Sequence, residues 1–304
     1  MEGLLTGGVS VGIHMILAMS VNMISGYARK LSLGQAAFAA LGAYTSALLT
    51  LRLGLSFWLA CPLSVVLTAS IGFLLGLPLL RMPQYYLMIM TLTLNALVQH
   101  LLRYGRFAGG YFGLGNIAVP HFLHLPLAAS AYFPLVLMAV GLCLVADRWF
   151  RYSRFGQLLR DTENRDVSSE SAAIDRAVLV AFVTSTAMAG LGGSLFAHFE
   201  TFISPFDFNL EASLFVLASA ACGGLGSPFG ALLGALMLGG LLEAVRPLAI
   251  YRLLVSGVVF LLVGLWLPRG LLSCKGIARV RCGAASGIQS AGRLDVSEQS
   301  RSRS

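Results

Sequence analysis

The sequence predicts an all-α, polytopic membrane protein, because its composition, its apolar runs and its distribution of charge all favour that fold class. Of its 304 residues, 57% are hydrophobic and 11% are charged. In soluble domains roughly 45–50% of residues are apolar and about 25% are charged. The mean hydropathy is +0.81. These values exclude an ordinary soluble globular domain.

Apolar runs long enough for membrane helices follow one another along the chain. They lie at about 4–27, 33–53, 56–80, 84–102, 131–147, 178–198, 212–245 and 250–268. A helix needs about 20 residues to cross the ~30 Å hydrocarbon core, so most runs are single spans. The run 212–245 is too long for one and contains GGLGSP at 223–228, which predicts a turn between two spans or a re-entrant hairpin. The total is about nine transmembrane or re-entrant helices.

Two polar segments interrupt or follow these runs. Residues 148–176 hold 11 of the 34 charged residues, and residues 269–304 hold another 9. We therefore predict a membrane domain at 1–271, in which 148–176 is a loop in water. A basic tail at 272–304 follows, which we expect to be disordered.

The Lys and Arg residues predict how the chain crosses the membrane. If 148–176 faces the cytoplasm, sixteen basic residues lie inside and five outside, which satisfies the positive-inside rule. We expect the N-terminus outside and the C-terminus in the cytoplasm. The net charge of +8 fits such loops. Because no basic stripe with interleaved aromatic residues occurs, nucleic-acid binding is not indicated.

Motifs for enzyme or metal chemistry are absent from the sequence. It has no Gly-x-x-x-x-Gly-Lys-Ser/Thr loop to bind nucleotide phosphates, and no nucleophile beside a base. Its five cysteines lack metal-ligand spacing. His121, His124, His198 and Glu200 fall near the predicted outer face, again without the spacing of a metal site. We predict no catalytic residue, no metal and no directly bound cofactor.

Two Gly-rich segments in the two halves of the chain resemble each other. LGQAAFAALGA at 33–43 and LGSPFGALLGA at 225–235 match at six of eleven positions. Small residues allow helices to approach closely, and paired Gly-interrupted segments indicate a transport pathway. The alternative is that Gly and Ala are simply frequent in membrane helices.

An ordered set of motifs connects the chain to a known family. The motifs are NMISGYARKLSLGQAAF at 22–38, GAYT at 42–45, SRFG at 153–156, AFV at 181–183, AGLGGSL at 189–195, ISP at 203–205, GGLGS at 223–227 and LPRGL at 267–271. In order and spacing they resemble the LivM-type permease subunits of bacterial branched-chain amino-acid ABC importers. The resemblance runs from about residue 15 to residue 271.

This resemblance implies a transmembrane subunit in the bacterial inner membrane, with the fold of an ABC importer permease. Its implied partners are a second permease subunit, two cytoplasmic ATPase subunits and a periplasmic substrate-binding protein, together with the lipid bilayer. ATP and Mg would be used by the ATPases, which agrees with the missing phosphate-binding loop. The implied substrates are branched-chain or other hydrophobic amino acids.

The resemblance gives the segment 148–176 the role of coupling loop to the ATPases. Its candidate residues are Arg154, Phe155, Gly156, Arg160, Glu163, Ser169, Glu170 and Ile174. Good helix formers at 157–165 predict a short helix, and Ser168 or Ser169 could cap another one. The family usually has Gly where Ala173 stands, so a left-handed turn there would be strained. The alternative is a merely solvated loop.

Polar residues at membrane depth are the candidates for the translocation pathway. They are Asn22, Gly34, Gln35, Asn95, Gln99 and Gly226. Such groups usually face the interior of a helix bundle or a pathway. Interhelical hydrogen bonding is the alternative for each.

Substrate and transport class leave alternatives open. AGGYFGL at 108–114 departs from the family's Thr-Gly-Gly-Pro-Asn-Gly-Leu, and related importers carry urea or short amides. A self-sufficient secondary transporter is the rival class. It would need a relay of ionisable residues in the membrane, for which only His14, Glu243 and His100 are candidates.

Overall fold

The computed structural model describes residues 2–80, 82–122, 125–126, 129–161 and 171–244. In order, its α-helices are α1 (Glu2–Val21), α2 (Gln35–Leu53), α3 (Phe57–Leu79), α4 (Gln84–Tyr104), α5 (Ala129–Tyr152), α6 (Arg154–Asp161), α7 (Ser171–Glu200), α8 (Leu210–Gly223) and α9 (Pro228–Ala244). A π-helix, Asn22–Tyr27, continues α1. A two-residue hairpin pairs β1 (His121–Phe122) with β2 (Leu125–Pro126). The predicted all-α class is confirmed.

Within the described residues, six helical stretches are long and apolar enough to cross a membrane. They are Leu5–Tyr27, Gln35–Leu53, Phe57–Leu79, Gln84–Tyr104, Ala131–Tyr152 and Ala173–Glu200. The long apolar run 212–245 is divided into α8 and α9, which at 14 and 17 residues reach only about 21 and 26 Å. The predicted segment 250–268 and the tail 272–304 lie outside the described residues.

Helix α7 lies against α1, α2 and α3 at the centre of the bundle. Small residues make this possible: a Cβ added at Gly42 in α2 would overlap the backbone of Gly190 in α7, and one added at Gly193 would overlap the backbone of Ala39. Without a hydrophobic driving force between helices in lipid, such close contact supplies the packing energy.

Replacing Gly193 with Ala should therefore destabilise the bundle. The added methyl group forces α2 and α7 apart, at a cost of about 1–3 kcal/mol for overpacking. Gly141→Ala in α5 is the matched control, because no atom lies within 4 Å of its added Cβ. Thermal unfolding of the detergent-solubilised chain measures both effects, and equal unfolding midpoints for the two variants would contradict close packing of α2 against α7 at Gly193.

The loops fall into two groups at opposite ends of the bundle. At one end, the Lys30 ammonium donates to the Met82 carbonyl over 3.4 Å, which joins the α1–α2 and α3–α4 connections. At the other end, Leu114 and Ile203 exchange backbone hydrogen bonds of 2.9 Å. The α4–α5 and α7–α8 connections therefore share that end.

His198 is a structural residue at this second end. Its side chain is fully buried. One ring nitrogen lies 2.8 Å from the Ser46 hydroxyl and the other 2.8 Å from the Ala118 carbonyl. Among the described residues, no group of three His, Cys, Asp or Glu side chains could hold a metal ion.

Candidate translocation pathway and coupling site

The breaks in the two Gly-rich halves meet inside the bundle. The first break is the π-helix with the link at 28–34, and the second is the turn at 224–227. The Asn22 side-chain oxygen accepts a 2.7 Å hydrogen bond from the Gly226 backbone N–H. Gly226 has φ of +89°, a conformation that favours glycine. We call this contact the junction, defined by Asn22 and Gly226.

Beside the junction, side chains from other helices accept hydrogen bonds from two backbone N–H groups, one just before α2 and one in its first turn. Leu33 N–H donates to the Thr91 hydroxyl over 3.1 Å, and Ala36 N–H donates to the Ser213 hydroxyl over 3.0 Å. Gly34, which precedes the helix, lies against Thr91. A helix start leaves N–H groups such as that of Ala36 unpaired, and at membrane depth no water can satisfy them. Helices α4 and α8 thereby fix the start of α2.

Gln35 joins three helices in a buried hydrogen-bond network. Its amide donates to the Ser185 hydroxyl over 2.8 Å, and that hydroxyl donates to the Ser20 carbonyl over 2.6 Å. The Ser20 hydroxyl lies 3.4 Å from the Gln35 side-chain oxygen. All three residues are buried. The network holds α1, α2 and α7 together next to the junction.

The two α4 candidates have different surroundings. Asn95 lies one helical turn beyond Thr91 and is 3% exposed, and its side-chain oxygen has no hydrogen-bond partner among the described residues. Gln99 instead donates to the Pro205 carbonyl over 3.2 Å, close to the loop end that contains Leu114 and Ile203. Asn95 is therefore near the start of α2, and Gln99 is not.

Helix α6 forms a separate site at the end that contains Lys30 and Met82. Ser153 begins it, with its hydroxyl donating to the Phe150 carbonyl over 2.6 Å and accepting from Gly156 N–H over 3.3 Å. Leu159 in α6 and Ile174 in α7 pack on the same apolar cluster of the bundle. Arg154 and Phe155 face outward, with Phe155 41% exposed. The predicted short helix is thus present, and it begins before Gly156.

Other predictions for the loop have different outcomes. Arg160 lies in α6, and Glu163, Ser169 and Glu170 lie outside the described residues. The helix predicted to follow Ser168 or Ser169 is not short, because α7 is described from Ser171 and runs unbroken to Glu200; the two predicted capping residues lie outside the described residues. The strain expected at Ala173 does not arise, since this residue is inside α7. A helix lacks the left-handed turn that would require Gly there.

The hydroxyl groups that complete this site were missed from the sequence. Thr91, Ser185 and Ser213 each bind a residue at least 58 positions away. Ser and Thr are common in membrane helices and usually bind their own helix, as Thr93 does with the Ile89 carbonyl. Nothing in the sequence distinguishes the two cases.

Comparison with known proteins identifies the family. A family model described as the permease component of the branched-chain amino acid transport system matches residues 3–264. The chain belongs to this permease family. The match includes all the described helices from α2 to α9 and the junction, so the resemblance predicted from the motifs is confirmed.

Individual relatives agree with this assignment. The chain is 33% identical over 305 aligned residues to the high-affinity branched-chain amino acid transport system permease protein LivM of Escherichia coli (strain K12), covering 91% of this chain and 72% of LivM. LivM of Salmonella typhimurium gives the same values. LivH of E. coli is 31% identical over 137 residues, which is 43% of this chain and 44% of LivH. No solved structure matches the chain.

Family membership makes the chain a transport component rather than an enzyme. Together with its apolar helices, it makes the chain a multi-pass protein of the inner membrane. Members of this family work within transport systems of several subunits.

Proposed function

We propose that the chain is one membrane-spanning subunit of an ATP-driven importer that moves branched-chain or other hydrophobic amino acids into the cell. The observation that carries this proposal is the similarity to LivM, which is 33% identical over 91% of the chain. LivM is named for high-affinity branched-chain amino acid transport. The predicted urea or short-amide importer has no comparable support, so it becomes an outcome of the test.

The proposed partners follow from what the chain has and lacks. A second permease subunit, two ATPases and a periplasmic binding protein complete the importer. The 304 residues contain no phosphate-binding loop, so nucleotide hydrolysis falls to another chain. LivH, a permease named for the same kind of transport system, is similar to part of this chain. This similarity supports a second permease of related fold.

Helix α6 is the proposed contact with an ATPase. It presents Arg154 and Phe155 outward, while Gly156 is buried against the backbone at the C-terminal end of α5. An exposed aromatic residue beside an arginine is the composition of an interface hot spot. Closure of the ATPases on nucleotide would move α6, and with it the ends of α5 and α7.

The junction is the proposed moving part of the pathway. It lies where two helices are interrupted, and transporters place substrate sites at such interruptions. Near the start of α2, Asn95 offers a side-chain oxygen that has no partner within the described part of the chain, which suits the ammonium group of an amino acid. Asn22, Gly34, Gln35 and Gly226 shape the surrounding backbone.

Amino-acid uptake by the source bacterium tests this function. A strain that lacks the gene should lose most high-affinity uptake of radiolabelled leucine, isoleucine and valine, and a plasmid copy should restore it. Urea and acetamide uptake serve as the comparison. If the deletion strain kept its amino-acid uptake but lost uptake of urea or acetamide, the importer would carry urea or short amides instead of amino acids.

The proposed orientation places α6 in the cytoplasm and the N-terminus outside. Reporter fusions after Arg165 and within the tail at 272–304 should therefore read cytoplasmic. A fusion near Gly113 should read periplasmic, because this loop lies at the opposite end of the bundle from Lys30 and Met82. A periplasmic signal after Arg165 would exclude contact between α6 and a cytoplasmic ATPase.

A further inference from the structure

The C-terminal end of α5 forms a binding surface for Tyr27. The Tyr27 hydroxyl donates a 2.8 Å hydrogen bond to Asp147 Oδ2. Its ring centroid lies 6.0 Å from that of Phe150, and the Arg151 guanidinium carbon lies 5.9 Å from the Tyr27 ring centroid. These three α5 residues have i, i+3 and i+4 spacing and therefore share one helix face.

Asp147 is an unusual residue to find in this place. Its side chain is fully buried, and its second oxygen, Oδ1, has no hydrogen-bond partner among the described residues. A buried carboxylate with so few donors is costly, so stability alone is a poor reason for its presence. Acidic residues inside membrane proteins are usually functional.

The contact joins the two sites described above. Tyr27 is the last residue of the π-helix that begins with Asn22, and Asn22 binds Gly226 in the junction. On the other side, the Phe150 carbonyl accepts a hydrogen bond from the hydroxyl of Ser153, the residue that precedes α6. Short π-helices occur frequently at functional sites. A continuous set of contacts thus runs from α6 through Tyr27 to the junction.

We propose that Tyr27 and Asp147 are positioning residues that transmit the movement of α6 to the junction. This inference rests on the proposed function, since it assumes that an ATPase moves α6. A hydrogen bond to a carboxylate is strong and directional, so a displacement at the end of α5 turns the π-helix. Apolar contacts such as those of Leu159 can slide and transmit less.

Tyr27→Phe in the assembled importer is the direct test. The substitution removes only the hydroxyl. We expect normal co-purification of all subunits, while the amount of leucine taken up per ATP hydrolysed falls about tenfold, as for loss of a hydrogen bond to a charged group. Asp147→Asn, which keeps an acceptor oxygen, should lower the same ratio less. The double variant should equal Tyr27→Phe, since both act through one bond.

Tyr132→Phe is the matched control. Tyr132 is a buried tyrosine of the apolar cluster against which the half-buried Tyr27 packs, and its hydroxyl donates to the Leu195 carbonyl over 2.8 Å. This bond joins α5 to α7 away from α6, so the uptake ratio should stay normal. An unchanged ratio in Tyr27→Phe, an equal fall in Tyr132→Phe, or failure of both the Tyr27 and Asp147 variants to assemble would overturn the proposal. If wild-type importer takes up no amino acid, the proposed function fails instead.

Discussion

Replacing Arg154 with Glu and Phe155 with Ala together should abolish the association of the chain with its ATPases. Both side chains face outward on α6, so the bundle should remain folded. An aromatic or arginine anchor in an interface contributes about 2–4 kcal/mol, and loss of two should weaken ATPase binding by roughly a thousandfold or more. Uptake should fall to background.

This prediction is tested by measuring how much ATPase co-purifies with the double variant, together with its amino-acid uptake. Phe73→Ala in α3 is the control for a lost exposed phenylalanine, because Phe73 is 48% exposed and Phe155 41%, and α3 is a membrane-spanning helix away from α6. The control should bind ATPases normally. If the α6 variant also binds them normally, α6 is not the coupling helix.

Replacing Asn22 with Leu should give the second large effect. The two side chains have similar size, but Leu cannot accept the hydrogen bond from the Gly226 backbone N–H. This N–H group would remain unpaired inside the membrane. An unsatisfied buried donor costs about 1–3 kcal/mol, and the turn at 224–227 would lose its attachment to the π-helix. We expect a lower unfolding temperature and uptake reduced by about tenfold or more, in line with that cost.

Thr93→Val in α4 is the matched polar-to-apolar control. The exposed Thr93 hydroxyl donates to the Ile89 carbonyl of its own helix over 2.9 Å, so its loss should change stability by roughly 0.5 kcal/mol or less. Thermal unfolding and uptake should be measured for both variants. An Asn22→Leu chain as stable and active as Thr93→Val would exclude the junction as a functional element.

The membrane helices were predictable because hydropathy is a local property. The division of the run 212–245 into two helices was also predictable, because its Gly-rich segment marks a turn. Such a turn at membrane depth is tolerated only when it is buried in protein. Gly224 and Gly226 both have positive φ there. The start of α7 was harder to predict. Asp175 and Arg176 are exposed residues of α7, and charged residues look like loop when hydropathy alone defines a helix.

The contacts of the site were not predictable, because they join residues far apart in sequence. Asn22 and Gly226 were each selected as polar or Gly-rich positions, yet the hydrogen bond between them spans 204 positions. From the sequence, Asp147 is only the last residue of the apolar run 131–147, next to the polar segment 148–176. Its burial depends on Tyr27, 120 positions away, and no helical periodicity reveals such a partner.

We expect this chain to transport amino acids only as part of an ATP-driven assembly. Vesicles should be reconstituted with the chain, the second permease, both ATPases and the binding protein, with ATP on the ATPase side. Leucine should accumulate against its gradient, and it should not accumulate when the phosphate-binding lysine of the ATPases is replaced. Sustained uphill uptake by the chain alone under an ion gradient would instead show a self-sufficient secondary transporter.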